Sequence, residues 1–90
     1  MTRANLASAS DRLEAAADRT DDEDAAERLR DLAGQLDTLA ERERGPDHGR
    51  LARIENALGD LQEQAGEDAA AEIEAGHDAV IAFRETVEGV

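Results

Sequence analysis

Four leucines in the middle of the chain, at alternating intervals of three and four residues, constrain the fold more than any other feature. They are Leu29, Leu32, Leu36 and Leu39. This spacing places all four on one face of an α-helix, and such an apolar stripe is typical of helices that pack against other helices. The region is therefore expected to be one member of a helical assembly.

Three further segments repeat the spacing. Before the leucines, the positions are Leu6, Ala9, Leu13 and Ala16, within residues 2–18. After them, the stripe resumes as Leu51, Ile54, Leu58, Leu61 and Ala65. The last set is Ala69, Ile73, Gly76, Val80, Phe83 and Val87. Each segment is long enough for a helix of several turns, so the pattern predicts four amphipathic helices.

Local signals place the boundaries of the second helix. Thr20 followed three residues later by Glu23 matches a capping box, which predicts a helix from about residue 21 to about residue 44. Gly45 ends that helix and Pro46 prevents its continuation. Inside it, Gly34 costs about 1 kcal/mol relative to alanine and is expected to let another helix approach closely.

The third and fourth segments leave an ambiguity around Gly66. Asp47 is suited to cap the third helix, and Gly66 to end it, with Asp68 as a cap for the fourth. The apolar stripe also changes phase here, because a continuing helix would put Asp68 on the apolar face. A turn is the preferred interpretation, and one long helix with a local irregularity is the alternative. The fourth helix is expected to end near Val87.

These patterns predict an all-α fold. No stretch of useful length alternates with a period of two, so no strand is expected. Four helices with short connections predict an antiparallel up-and-down bundle, or one of three helices if the last two are continuous. Ninety residues form a single domain, residues 1–90.

The charge restricts the partners. The chain has 23 carboxylates and 10 cations, all of them arginine, giving a net charge of −13. Such a chain repels nucleic acid and anionic membranes, so neither is an expected partner. Disorder is the alternative for a chain this charged, but the ordered apolar spacing opposes it. At molar salt the Debye length is about 3 Å, which would screen the carboxylates and leave salt ions loosely at the surface. The composition therefore indicates a halophilic source.

The location follows from what the sequence lacks. No cysteine is present, so neither a disulfide nor a thiolate metal site can form. No apolar run approaches the roughly 20 residues of a transmembrane helix, and the first residues lack a signal peptide's apolar block. The expected location is the cytoplasm.

Self-association is expected from the size of the core. Many stripe positions are alanine, which buries little area, so the core looks thin for a monomer. Ile81 and Phe83 are two residues apart and cannot both face the same stripe, so one of them indicates a second apolar surface. A homodimer, or a complex with another protein, is the predicted state.

Candidate chemistry is sparse. Glu74 and His77 have the Glu-x-x-His spacing of metal sites in helical bundles, but such sites need a second copy of the motif and two more glutamates. His48 lies between Asp47 and Gly49 at a helix start, where no nucleophile accompanies it. We therefore predict no catalytic, cofactor or metal residues and no enzymatic activity. A small-molecule or metal-binding bundle using Glu74 and His77 is the alternative function.

One stretch is locally positive. Residues 42–53 contain four of the ten arginines and sum to +2. Arginine pairs with carboxylates through two parallel hydrogen bonds, so this stretch could dock an acidic face of a partner or of a second copy. Pairing within one monomer is the alternative. The predicted interaction residues are Arg42, Arg44, His48, Arg50 and Arg53.

Two stretches carry a resemblance to known sequences. Residues 45–54, which read GPDHGRLARI, and residues 84–90, which read RETVEGV, are similar to a group of small uncharacterised haloarchaeal proteins. The resemblance covers the whole chain. It implies a salt-rich habitat and a helical fold, and it assigns no activity, cofactor or site residue.

Overall fold

The computed structural model describes residues 2–41 and 48–87, and these form four α-helices. Helix α1 is Thr2–Arg19, α2 is Glu23–Glu41, α3 is His48–Gln64 and α4 is Glu67–Val87. No strand occurs within these two ranges. The all-α bundle that the apolar spacing predicts is confirmed, and its last two helices are separate.

The helices pack as a four-membered ring around one core. Helix α1 packs against α2 and α4, α3 packs against α4, and the contact between α2 and α3 is the least extensive. Helices α1 and α2 are antiparallel, as are α3 and α4, since the short turns between them reverse the chain. Helices α2 and α4 do not contact each other within the described residues and lie diagonally across the bundle, which measures 40 × 20 × 19 Å.

The predicted apolar stripes form the core. Every stripe position whose side chain the structure describes is buried. The large side chains that are at most 1 % exposed are Leu6, Leu13, Leu29, Leu36, Leu51, Ile54, Leu58, Leu61, Ile73 and Val80. Truncating one such leucine to alanine typically costs about 2–5 kcal/mol, so these rows hold the fold together. A single copy of the chain covers its own stripes.

Helices α1 and α4 approach each other at a glycine. A Cβ added to Gly76 would lie 2.9 Å from Leu13 Cδ2 and 3.4 Å from the carbonyl oxygen of Ala9. The absence of a side chain at Gly76 thus allows the two helices to pack closely. The prediction of a close approach at Gly34 is wrong, because Gly34 is exposed and nothing lies within 4 Å of an added Cβ.

The turn between α3 and α4 depends on Gly66. Its φ of 90° is a left-handed conformation that costs glycine little, and it prevents α3, which ends at Gln64, from continuing past Ala65. Helix α4 then begins at Glu67, with the N–H of Ala70 donating to the carbonyl oxygen of Gly66 at 3.0 Å. Asp68 was expected to cap α4, but it lies inside the first turn and does not cap the helix. Its charge still suits the positive end of the helix dipole.

The prediction of a capping box formed by Thr20 and Glu23 is also wrong. The N–H of Ala25 donates to the carboxylate of Asp22 at 3.0 Å, which makes Asp22 the N-cap of α2. Helix α2 accordingly begins at Glu23, two residues later than predicted. The hydroxyl of Thr20 instead accepts a hydrogen bond from the N–H of Asp22 at 3.2 Å and donates one to Ala65 on the other loop.

Some predictions fall outside the described residues. They include the helix stop at Gly45 and Pro46, the cap at Asp47 and the position of Val87 on the apolar stripe. Within residues 2–41 and 48–87, no helix is both long and apolar enough to cross a membrane.

Candidate interaction surface

The two ends of the bundle differ strongly in charge. Residues 11–32 and 57–77 form the half that holds the α1–α2 and α3–α4 turns, and we call it the acidic half. It carries 15 carboxylates and four arginines, a net charge of −11. The other described residues, 2–10, 33–41, 48–56 and 78–87, carry five carboxylates and four arginines, a net charge of −1. We call them the balanced half. Only the balanced half can approach another acidic protein without strong repulsion.

The acidic half places its carboxylates at helix starts. Helices α2 and α4 both begin there, and Asp21, Asp22, Glu67 and Asp68 line the depression between the two turns together with Arg19. Negative side chains at these positive helix ends are favourable. The hydrogen bond from the Ala25 N–H has the largest effect on the pKa of Asp22 and lowers it. Burial opposes this effect in part, and the weaker contacts from Gln64 and the Asp24 N–H lower the pKa again. These acids stabilise helix ends.

Ion pairs join α1 to its neighbours in this half. Glu72 on α4 accepts a hydrogen bond from Arg12 at 3.0 Å and lies 3.9 Å from Arg19. Asp18 accepts one from Arg30 on α2 at 3.1 Å. All three arginines are about half exposed, and pairs of this kind contribute about 0–1 kcal/mol each. They orient the helices more than they stabilise them.

A large apolar side chain is exposed in the balanced half. Ile81 on α4 is 38 % exposed, and it is the only large apolar residue so exposed in the part of the chain that the structure describes. It borders a shallow depression that is also lined by Glu55, Arg84 and Glu85. We use the name Ile81 surface for the α4 residues around it, which are His77, Asp78, Ile81, Arg84 and Glu85.

Glu55 on α3 holds two residues of this surface in place. Arg84 donates a hydrogen bond from Nη1 to Glu55 Oε2, and His77 Nε2 lies 3.3 Å from Glu55 Oε1. The side chains of His77 and Arg84 are 27 % and 28 % exposed, whereas the arginines paired on α1 are more than half exposed, so this contact is better shielded from water. One carboxylate thus fixes the guanidinium of Arg84 and the imidazole of His77 relative to α3. Phe83 is buried, so Ile81 is the member of that pair that faces outward.

The Glu74 and His77 pair is not brought together as a ligand set. His77 contacts Glu55 on the neighbouring helix, and Glu74 is exposed. Among the residues described here, no three His, Asp or Glu side chains come together in a group that could hold a metal ion.

The predicted interaction residues are only partly described. Arg42 and Arg44 lie outside the described residues, and His48 begins α3 with its side chain outside them. Arg50 is half-buried and Arg53 is exposed, both on α3 in the balanced half. No sequence pattern indicates that Glu55 contacts His77 and Arg84, because that contact depends on how α3 and α4 align. The signal for this surface in the sequence was the separation of Ile81 and Phe83 by two residues, which prevents both from facing the core.

A comparison with models of known protein families identifies the family of the chain. The model of a family described as a family of unknown function, DUF7553, matches residues 1–86. No curated protein and no solved structure matches the chain.

Proposed function

The chain belongs to this family of unknown function, and from the geometry above we propose that it is a non-enzymatic interaction module that binds a second copy of itself. The observation that carries the proposal is the position of Ile81. It is exposed in the balanced half, among charges of both signs, while the acidic half repels any acidic partner.

The core does not supply the reason for association, because one copy already buries its apolar stripes. The proposal therefore rests on surface chemistry. Cations are scarce in this chain, and Arg50, Arg53 and Arg84 all lie in the balanced half. Arginine makes two-pronged contacts with carboxylates, which a second acidic copy offers in abundance. Arg42 and Arg44 join them in this proposal on sequence grounds.

We also propose that the protein works in the salt-rich cytoplasm of a halophilic cell. The support is the charge of −13 together with the absence of lysine. Molar salt screens repulsion between two acidic copies over distances beyond about 3 Å, while it leaves short apolar contacts intact. Self-association of such a chain is thus compatible with salt and disfavoured in dilute buffer.

Sedimentation equilibrium in molar KCl tests the proposed function. The apparent mass of the wild-type chain should rise from monomer towards dimer with concentration. A mass that stays at 9.6 kDa across the whole range would overturn the proposal.

Two charge-reversing variants sharpen this test. Arg53→Glu, in the balanced half, should weaken association by more than Arg28→Glu, an exposed position on α2 in the acidic half. Both variants change the net charge equally, so their difference reports position and not total charge. Equal effects would exclude Arg53 from the interface.

A further inference from the structure

We infer that two copies pack α4 against α4 in antiparallel orientation, with Ile81 of each copy at the two-fold axis. This inference rests on the proposed function and names its surface. A two-fold interface is self-complementary: if one residue contacts a second residue of the partner, the second residue also contacts the first residue of the partner. The Ile81 surface has this property.

The spacing of charges on α4 fits the antiparallel arrangement. When Ile81 meets the partner's Ile81, each residue three positions before it faces the residue three positions after it. Asp78 then faces the partner's Arg84, and symmetry repeats the contact. One step further from the axis, His77 faces the partner's Glu85, again twice. The two pairs of Asp78 with Arg84 are ion pairs and the two pairs of His77 with Glu85 can form hydrogen bonds, all around one apolar contact.

The charge of the whole molecule favours the same arrangement. Ile81 lies within the balanced half, so an antiparallel pair centred on it overlaps the two balanced halves. The two acidic halves, at −11 each, then project away from each other at opposite ends. A parallel pair would place them side by side, and that repulsion is the larger cost at low ionic strength.

The contact of Glu55 with Arg84 and His77 prepares the surface for binding. Arg84 and His77 are held against α3 in the single copy, which reduces the side-chain entropy lost on association. A guanidinium has five N–H donors, so Arg84 can contact Glu55 and the partner's Asp78 together. Contact along one helix buries little area, which predicts a weak, concentration-dependent dimer.

Cysteine cross-linking tests the position of the axis. The chain has no native cysteine, so Ile81→Cys introduces a single thiol. Facing residues at a two-fold axis between helices come within the 4.4–6.8 Å between Cα atoms that a disulfide needs. The control is Thr38→Cys, an exposed position on α2, the helix diagonal to α4. Under mild oxidation in molar KCl, Ile81→Cys should form disulfide dimers at least about tenfold faster than the control.

Charge reversal tests the predicted pairs. Asp78→Arg places like charges opposite the partner's Arg84 and should raise the dimer dissociation constant by about tenfold, since two pairs are lost and reversed. Its control is Asp37→Arg on α2, which makes the same change in net charge. The control lowers total repulsion and should leave the dissociation constant unchanged or lower it. If the dissociation constant rises in Asp78→Arg and falls in Asp37→Arg, the change in net charge cannot explain the result.

The outcomes separate this inference from the proposed function. A wild-type dimer whose Ile81→Cys variant cross-links no faster than Thr38→Cys overturns the α4 arrangement and leaves self-association in place. If Asp78→Arg weakens the dimer no more than Asp37→Arg does, the α4 arrangement is likewise overturned and self-association remains. A wild-type chain that remains monomeric overturns both proposals. Fast cross-linking together with weakening by Asp78→Arg supports both.

Discussion

The hydroxyl of Thr20 donates a 2.8 Å hydrogen bond to the carbonyl oxygen of Ala65 and so joins the two turns at the acidic end of the bundle. The same oxygen accepts a hydrogen bond from the N–H of Asp22. Thr20 is partly buried. If its hydroxyl were removed, the carbonyl oxygen of Ala65 and the N–H of Asp22 would each lose a hydrogen bond that water replaces poorly. This contact aligns the start of α2 with the end of α3 even though those helices touch little elsewhere.

Thr20→Val tests this link. Valine keeps the shape and removes both hydrogen bonds, and we expect the free energy of unfolding to fall by about 1–3 kcal/mol. Thr38→Val is the matched control, because the Thr38 hydroxyl bonds the carbonyl oxygen of Gly34 on an exposed helix face. It should change stability by less than about 0.5 kcal/mol. Denaturant unfolding in molar KCl measures both, and equal effects would show that the link contributes nothing.

Two glycines should respond oppositely to substitution. Gly76→Val drives two methyl groups into Leu13 and Ala9 and should lower the free energy of unfolding by about 1–3 kcal/mol. Gly34→Ala meets nothing and should raise it by about 0.5–1 kcal/mol, because alanine is the better helix former. Thermal unfolding of the two variants beside the wild type checks this. A stabilising Gly76→Val would contradict the close packing of α1 on α4.

Asp22 gives the fold a defined dependence on pH. Its pKa is lower in the folded chain, chiefly because of the Ala25 N–H, so ionised Asp22 stabilises the fold at pH values above its unfolded pKa. That contribution is lost as the pH falls through the folded pKa. Asp22→Asn still caps the helix but does not titrate. The stability advantage of the wild type over Asp22→Asn should shrink on acidification from pH 7 to pH 3, as measured by denaturant unfolding. An advantage that grows on acidification would contradict the cap.

Salt should increase the helix content. The acidic half holds 15 carboxylates on a small surface, and their repulsion opposes folding most in dilute buffer. We expect the circular dichroism signal at 222 nm to strengthen markedly between dilute buffer and molar KCl. A flat response would remove the argument for a halophilic source.

The helices and the core could be predicted from the sequence because both depend on local spacing. Residues such as Leu29 and Leu58 must face a partner once they form part of a helical stripe. The turn at Gly66 could be predicted as well, because the stripe changes phase there and glycine allows the conformation. Nothing beyond the order of residues was needed for these features.

The cap and the close helix contact depend on tertiary structure. Thr20 and Asp22 are both good N-cap residues, and the choice falls to Asp22 because Thr20 bonds Ala65 across the bundle. Gly76 lies on the apolar stripe of its helix and Gly34 does not, but the close contact at Gly76 depends on the packing of α1 against α4. Local pattern carries no information about either neighbour.

The Ile81 surface was visible in the sequence only in part. The two-residue separation of Ile81 and Phe83 requires that one of them face outward. The contact of Glu55 with His77 and Arg84 requires the alignment of two antiparallel helices, which spacing within one helix does not give. The charge difference between the halves also appears only after the chain is folded back on itself.

The most direct test of the account is the distance between two spin labels in the dimer. Ala71→Cys carries a label on an exposed position of α4, ten residues before Ile81. With Ile81 at the two-fold axis of an antiparallel pair, the two labels lie about 30 Å apart along the helix direction, at 1.5 Å per residue. Pulsed dipolar spectroscopy in molar KCl should give a distribution centred near that value. A distance below about 20 Å, as a parallel pair of helices gives, or the absence of dipolar coupling would contradict it.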